Sequence, residues 1–275
     1  MAKKEIDLAF LFPTFKTIEL PSKGKFYQKN PALVNGEVKL RKMAAPEELI
    51  IDTINENTFY SSWCDIIRAC TGNTIDARDL TFSDFIYILF ALRSMSYGDR
   101  YVINTKCGSC GKETKANMSI GQFEPTFLEK EVVEPFEITL PESKIVLEMT
   151  YPRMRTIIES TRRTYSELKI KGKKISSDVT TRAICTTEMR LPNEDSDIIH
   201  NTEEEFPILV DVFSRIPAND TLEIKKIWNK YDHGLIEPIL VKCDKCGNLF
   251  KEWPVITPDM FRPDTREQGT SEEIN

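Results

Sequence analysis

Lys106-Cys107-Gly108-Ser109-Cys110-Gly111 and Lys242-Cys243-Asp244-Lys245-Cys246-Gly247 are two copies of one pattern, C-x-x-C-G. Two intervening residues let both thiolates of a pair face one ion, and a glycine after the second cysteine permits the positive φ of a tight knuckle turn. Each pair lies between strand candidates. Tyr101-Val102-Ile103 leads into Cys107 and Lys115 to Met118 returns; Ile236 to Val241 leads into Cys243 and Leu249 to Val255 returns. Two such hairpins complete a tetrahedral four-sulfur site made of Cys107, Cys110, Cys243 and Cys246, expected to hold one structural Zn2+ per chain. With every position filled by protein, no coordination site is left for a reacting water. Four thiolates on zinc carry a formal charge of about −2, and Lys106, Lys112, Lys242 and Lys245 stand where they can offset it.

The two pairs are separated by 132 residues, so the intervening chain must leave and return at one place. A metal clip across so long a loop is expected to stabilise the fold strongly. Two separate half-sites, a redox dithiol and an iron centre are the alternatives. No thioredoxin-like βαβ context surrounds either pair, which favours the shared site.

Outward from the knuckles, residues 18 to 41 read as short extended pieces punctuated by Pro21-Ser22-Lys23-Gly24 and Asn35-Gly36. Helices are expected over about 46 to 56, opened by Pro46-Glu47-Glu48, and over about 58 to 70. Thr81-Phe82-Ser83-Asp84 is a start signal ahead of an apolar run, Phe85 to Leu92, that predicts a buried central helix ending near Gly98. Phe136 to Leu140 and Ile145 to Thr150 form a hairpin. From Pro152 to about His233 the pattern is helical, clearest from Asn219/Asp220 to Tyr231, where Ile224, Ile227, Trp228 and Tyr231 share one face. The expected organisation is an N-terminal β-rich then helical part (1–100), a zinc-ribbon-like module (101–135 with 234–263), a hairpin plus helical insertion (136–233) and a mobile tail (264–275). The fold class is α+β: small β-rich segments and a zinc-ribbon-like module split by a mainly helical insertion.

The 275 residues are 40% hydrophobic and 29% charged, with a net charge of −6, values of a soluble globular chain with a real core. A pI near 5.3 argues against a general nucleic-acid coat or a membrane-surface binder. Leu8 to Phe12 is too short for a signal-peptide core and nothing later approaches a membrane span, so the protein is expected to stay in the compartment where it is made. Seven cysteines, an odd number with no export signal, argue against a disulfide framework. Cys64, Cys70 and Cys185 fall in helical patterns and read as small buried hydrophobes. His200 and His233 read as surface or capping residues, and no catalytic motif is present, so no enzyme activity is expected. Arg153 to Lys174 holds eight basic residues against Glu159 and Glu167, and Glu188 to Asp211 holds eight acids against Arg190. These runs are solvated faces that partly pair, or a two-signed surface for neighbouring proteins. A nucleic-acid-binding zinc ribbon using Arg162, Arg163, Lys171 and Lys173 is the weaker alternative, since no aromatic platform interleaves the cations.

Taken in order, Leu20-Pro21-Ser22-Lys23-Gly24 with Phe26-Tyr27, Val38 to Met43 leading into Pro46-Glu47-Glu48, Asp76 to Asp84, Leu92-Arg93 with Ser96-Tyr97-Gly98 and Tyr101, and the first cysteine pair are followed by Pro217-Ala218-Asn219-Asp220, the second pair and Phe261-Arg262-Pro263. This series resembles the base-plate hub and hub-assembly proteins of T-even-type contractile-tailed bacteriophages. The resemblance implies a structural or assembly role without an enzymatic site, other hub or tail proteins as partners, and residence in the host cytoplasm during assembly or in the virion tail base plate. It does not extend to the insertion, about 152 to 233.

Overall fold

The computed structural model describes residues 14–171, 176–192, 198–253 and 256–261. Strands β1 (Lys16–Glu19) and β2 (Glu37–Leu40) pair antiparallel with Ile18 opposite Val38. The turn between them packs backbone on backbone: at Gly24, φ +73°, a Cβ would stand 2.2 Å from the Val34 carbonyl oxygen, so only glycine fits. Helix α1 (Ala45–Thr53) begins after Ala44, which has no capping oxygen. Glu47 supplies the missing acceptor, taking the Ala44 N–H at 2.8 Å, while the Arg41 guanidinium grips the same carboxylate at 2.8 and 3.0 Å. Helix α2 (Phe59–Cys70) follows.

Helix α3 (Phe82–Tyr97) is the central helix the apolar run predicts, with Phe85, Ile88, Leu89 and Leu92 fully buried. Thr81 Oγ1 caps it by accepting the Asp84 N–H at 3.2 Å, and Gly98 stops it with φ +81°. Near its end, buried Arg93 spreads its fork over three carbonyls, those of Met260, Gly98 and Arg100. One cation thereby satisfies acceptors from the helix end, the next strand and the C-terminal segment.

Strands β3 (Arg100–Lys106) and β4 (Glu113–Ser119) form the first knuckle hairpin. The chain then builds an antiparallel sheet from β5 (Phe136–Thr139), β6 (Val146–Met149), β7 (Thr186–Arg190) and β8 (Ile198–His200), in that spatial order. Helices α4 (Met154–Lys171), α5 (Ser177–Cys185), α6 (Phe206–Phe213) and α7 (Ala218–Asn229) accompany it. The hairpin β5–β6 falls where the sequence puts it. Strands β7 and β8 go beyond the helical pattern expected from Pro152 onward: α5 ends at Cys185 and β7 starts at Thr186, with no turn residue to announce the change. Strands β9 (Ile239–Lys242) and β10 (Leu249–Glu252) form the second knuckle hairpin.

Two apolar clusters result. The first unites residues of the N-terminal part, such as Leu20, Trp63 and Phe90, with Tyr101, Met118 and Val241 of the knuckle hairpins and with Met154 and Phe261. The second lies between the four-stranded sheet and its helices, around Leu147, Met189, Leu209 and Ile224. The α7 face read from the sequence is used in both: Ile224 is buried in the second cluster, Tyr231 packs on the first, and Trp228 touches each. Asp220, fully buried in the first turn of α7, accepts the Glu142 and Ser143 amides at 2.8 and 3.0 Å and so fastens the β5–β6 turn to that helix.

Candidate metal centre

The knuckles are built alike. In the first, the Cys107 N–H donates to the Lys112 carbonyl at 3.0 Å and the Gly111 N–H to the Cys107 carbonyl at 2.9 Å; in the second, Cys243 N–H to Asn248 and Gly247 N–H to Cys243 are both 2.9 Å. Gly111 and Gly247 have φ of +67° and +71° with open space where a Cβ would stand, so the conformation alone selects glycine. Thr105 donates to the Glu252 carboxylate across the two hairpins.

The result brings together all four cysteines singled out from the sequence. Their sulfurs lie within 4.8 Å of one another, with Cys107 to Cys246 at 3.8 Å and Cys110 to Cys243 at 3.7 Å. A disulfide needs about 2.0 Å. Thiolates about 2.3 Å from a tetrahedral ion stand about 3.8 Å apart, the spacing of these two pairs. Cys107 and Cys243 are buried, whereas Cys110 and Cys246 are exposed at the tips. Backbone N–H groups of Cys246 and Lys245 push the Cys243 thiol down to about 6, and those of Cys110 and Ser109 lower Cys107. Cys246 shifts the other way: the Asn248 backbone N–H lowers it, but burial and the neighbouring Cys110, Cys243 and Cys107 outweigh that and push it up to about 11, so the four thiols share their protons unequally when no ion is held between them. Lys106, Lys112, Lys242 and Lys245 are all exposed around the cluster. Four close cysteines of this geometry can bind a metal ion.

The remaining cysteines are inert by environment: burial pushes Cys64, Cys70 and Cys185 each up to about 12. His200 is exposed. His233, expected at a surface or cap, is instead buried. Its Nδ1 lies 2.7 Å from the Tyr231 carbonyl, and its Nε2 lies 3.0 Å from the Thr81 hydroxyl and 3.7 Å from the Asp84 carboxylate. Sequence reasoning missed this because the groups that bury His233 come from the distant Phe26 and Thr81.

Among the described residues the two charged runs pair within themselves or with other segments, not with each other. Arg153 meets Glu134, Arg155 meets Asp79, Arg162 and Arg163 share Glu159, and in the acidic run Asp211 pairs with Arg215. Lys173, Lys174, Glu194, Asp195 and Asp197 lie outside the described residues, as do Leu8 to Phe12, Arg262-Pro263 and the segment 264–275. Among the described residues no helix is long and apolar enough to cross a membrane.

Fold and site together define an α+β protein whose distant C-x-x-C-G knuckles converge on one four-thiol cluster. The chain belongs to the family described as T4 bacteriophage base plate protein, whose sequence model matches residues 12–256. That span includes both knuckles and the insertion, where the motif resemblance stopped. No curated protein and no solved structure matches the chain.

Proposed function

We propose that this chain is a structural or assembly protein of the base-plate hub of a contractile-tailed phage, acting by protein–protein contacts on a scaffold stapled by one Zn2+ at Cys107, Cys110, Cys243 and Cys246. Membership of the base-plate family over residues 12–256 carries the reading. The sulfur spacing supports the metal, and zinc is favoured because two knuckles supplying only thiolates match its closed structural sites. In this organisation residues 1–100 and the ribbon (101–135 with 234–263) form the frame and 136–233 the insertion, with 264–275 as a tail. Other hub or tail proteins are the partners, met in the host cytoplasm during assembly or in the tail base plate. The ion supplies cross-linking without catalysis, tying together the two ends of the insertion.

Native mass spectrometry of the reduced protein, isolated from the phage-infected host, tests both parts. The expected result is one zinc per chain in a complex with other tail proteins. Visible absorbance from a four-thiolate iron would reassign the metal. A Cys243→Ser variant with unchanged metal content would refute the shared site, and a chain that joins no tail protein would refute the assembly role.

A further inference from the structure

The second knuckle hairpin has two faces of opposite character. Val241 is buried in the main core, Phe250 packs against it half-buried, and Glu252 is held by Thr105, so the inner face is turned to the protein. On the outer face Leu240, Leu249 and Trp253 are 66%, 60% and 55% exposed. Large apolar groups left this open within one short hairpin form a patch rather than scattered surface residues.

The strand register interleaves this patch with cations. Leu240 stands opposite Lys251 and Leu249 opposite Lys242, so each leucine has a lysine across the ladder, and Trp253 continues the outward alternation of Leu249 and Lys251. Both lysines are exposed, and among the described residues neither has a carboxylate within ion-pair distance. Neither strand has a second neighbour in its two-stranded sheet.

We infer that this outer face is a docking surface for another base-plate subunit, one presenting an apolar patch rimmed by Asp and Glu side chains. An exposed tryptophan is the kind of residue that anchors an interface centre, and Lys242 and Lys251, without a carboxylate partner among the described residues, fix the sign of the groups that meet this face. A nucleic acid is the poorer occupant, because two of the three apolar groups are aliphatic and the whole chain carries −6. The inference rests on the assembly reading only in supposing that a base-plate partner exists.

The test titrates the full-length chain with each of the phage's other base-plate proteins, purified singly. Lys242→Glu/Lys251→Glu and Leu240→Ser/Trp253→Ser variants are compared at low and high salt. Far-UV circular dichroism and metal content verify that each variant is folded, and Lys242→Ala/Lys251→Ala replaces the charge reversal if it is not. The expected result is one partner whose binding weakens at least tenfold on charge reversal, weakens with salt, and is lost in the Leu/Trp variant. A partner that binds wild type and all variants alike overturns the surface while leaving the assembly role intact. Wild type that binds none of these proteins overturns both. Self-association lost in the same variants would assign the face to a second copy, and retention of single-stranded DNA lost in them would assign it to nucleic acid; either outcome overturns the acidic partner.

Discussion

Asp84 and Tyr27, 57 positions apart, meet where the Tyr27 hydroxyl donates to the Asp84 carboxylate at 2.6 Å inside the main core. The same carboxylate accepts the Ser22 amide at 3.0 Å, and the Tyr27 oxygen in turn accepts the Thr81 amide at 2.9 Å. Burial first, then the Asp84 charge, pushes the Tyr27 hydroxyl well above its usual range, so it remains a donor. Each buried polar group here has a partner, and deleting one orphans the others. Asp84→Ala is expected to cost about 3 kcal/mol and Tyr27→Phe about 1–2 kcal/mol, with the double variant costing less than the sum. Urea unfolding midpoints measure all three; additive effects would show that the groups do not act as one network.

The Arg41–Glu47 pair predicts an acid-sensitive contribution. Burial alone would raise the Glu47 carboxyl, but the Arg41 fork and the Ala44 amide outweigh it and hold the group below its ordinary 4.5. A folded-state value below the unfolded one stabilises the protein above about pH 4.5, and this is lost as pH falls through the folded value. Glu47→Gln is therefore expected to lower the melting temperature at pH 7, by an amount equivalent to about 2 kcal/mol. The gap between wild type and variant should narrow as pH drops below 4.5; a constant gap from pH 7 to pH 3 would contradict it.

Asp220 should matter to the four-stranded sheet and its helices and little to the first apolar cluster. Asp220→Ala removes the acceptor of two turn amides, Glu142 and Ser143, and is expected to destabilise the sheet and its helices by about 2 kcal/mol. Hydrogen exchange should quicken at those two amides and in β5 and β6, with the amides of α3 unchanged. Uniform acceleration through the whole chain would mean that the two clusters unfold together.

Removing a metal ion held by the four cysteines should be costlier than any of these. Closing a loop of more than 130 residues is worth about 5 kcal/mol in a chain-entropy description, which for a protein of this size lowers the melting temperature by about 10–20 °C. Chelation by EDTA, or Cys107→Ser, is the manipulation and scanning calorimetry the measurement. A shift of less than 2 °C would show that packing alone holds the two knuckle hairpins together.

What could be read in the sequence was the short-range part of the fold. The knuckles announce themselves because two cysteines and a glycine within five residues specify both turn and ligand geometry. Helix α3 was equally plain, since Thr81 caps it from the side and its apolar residues cover most of the circumference. Strand β7, Thr186–Arg190, was not, because its burial does not alternate strictly and it follows α5 without a break. Asp84 was read only as part of a helix start, although its carboxylate serves the Ser22 amide and Tyr27. The burial of His233 and the exposure of Leu240 and Trp253 depend on distant segments, which no local pattern encodes.

The position of the second knuckle also sets a clock on biosynthesis. At about 5–20 residues per second of ribosomal elongation, the 139 positions from Cys107 to Cys246 take about 7–28 s to make. During that time Cys107 and Cys110 have been made without their counterparts, as an open half-site. The insertion, with its own apolar cluster around Leu147 and Leu209, has time to collapse before the chain behind it delivers Lys242 to Gly247. Meeting of the two knuckles is then a late event in the birth of the molecule, and any oxidant or metal that reaches the first pair before it occurs finds two thiols without their partners.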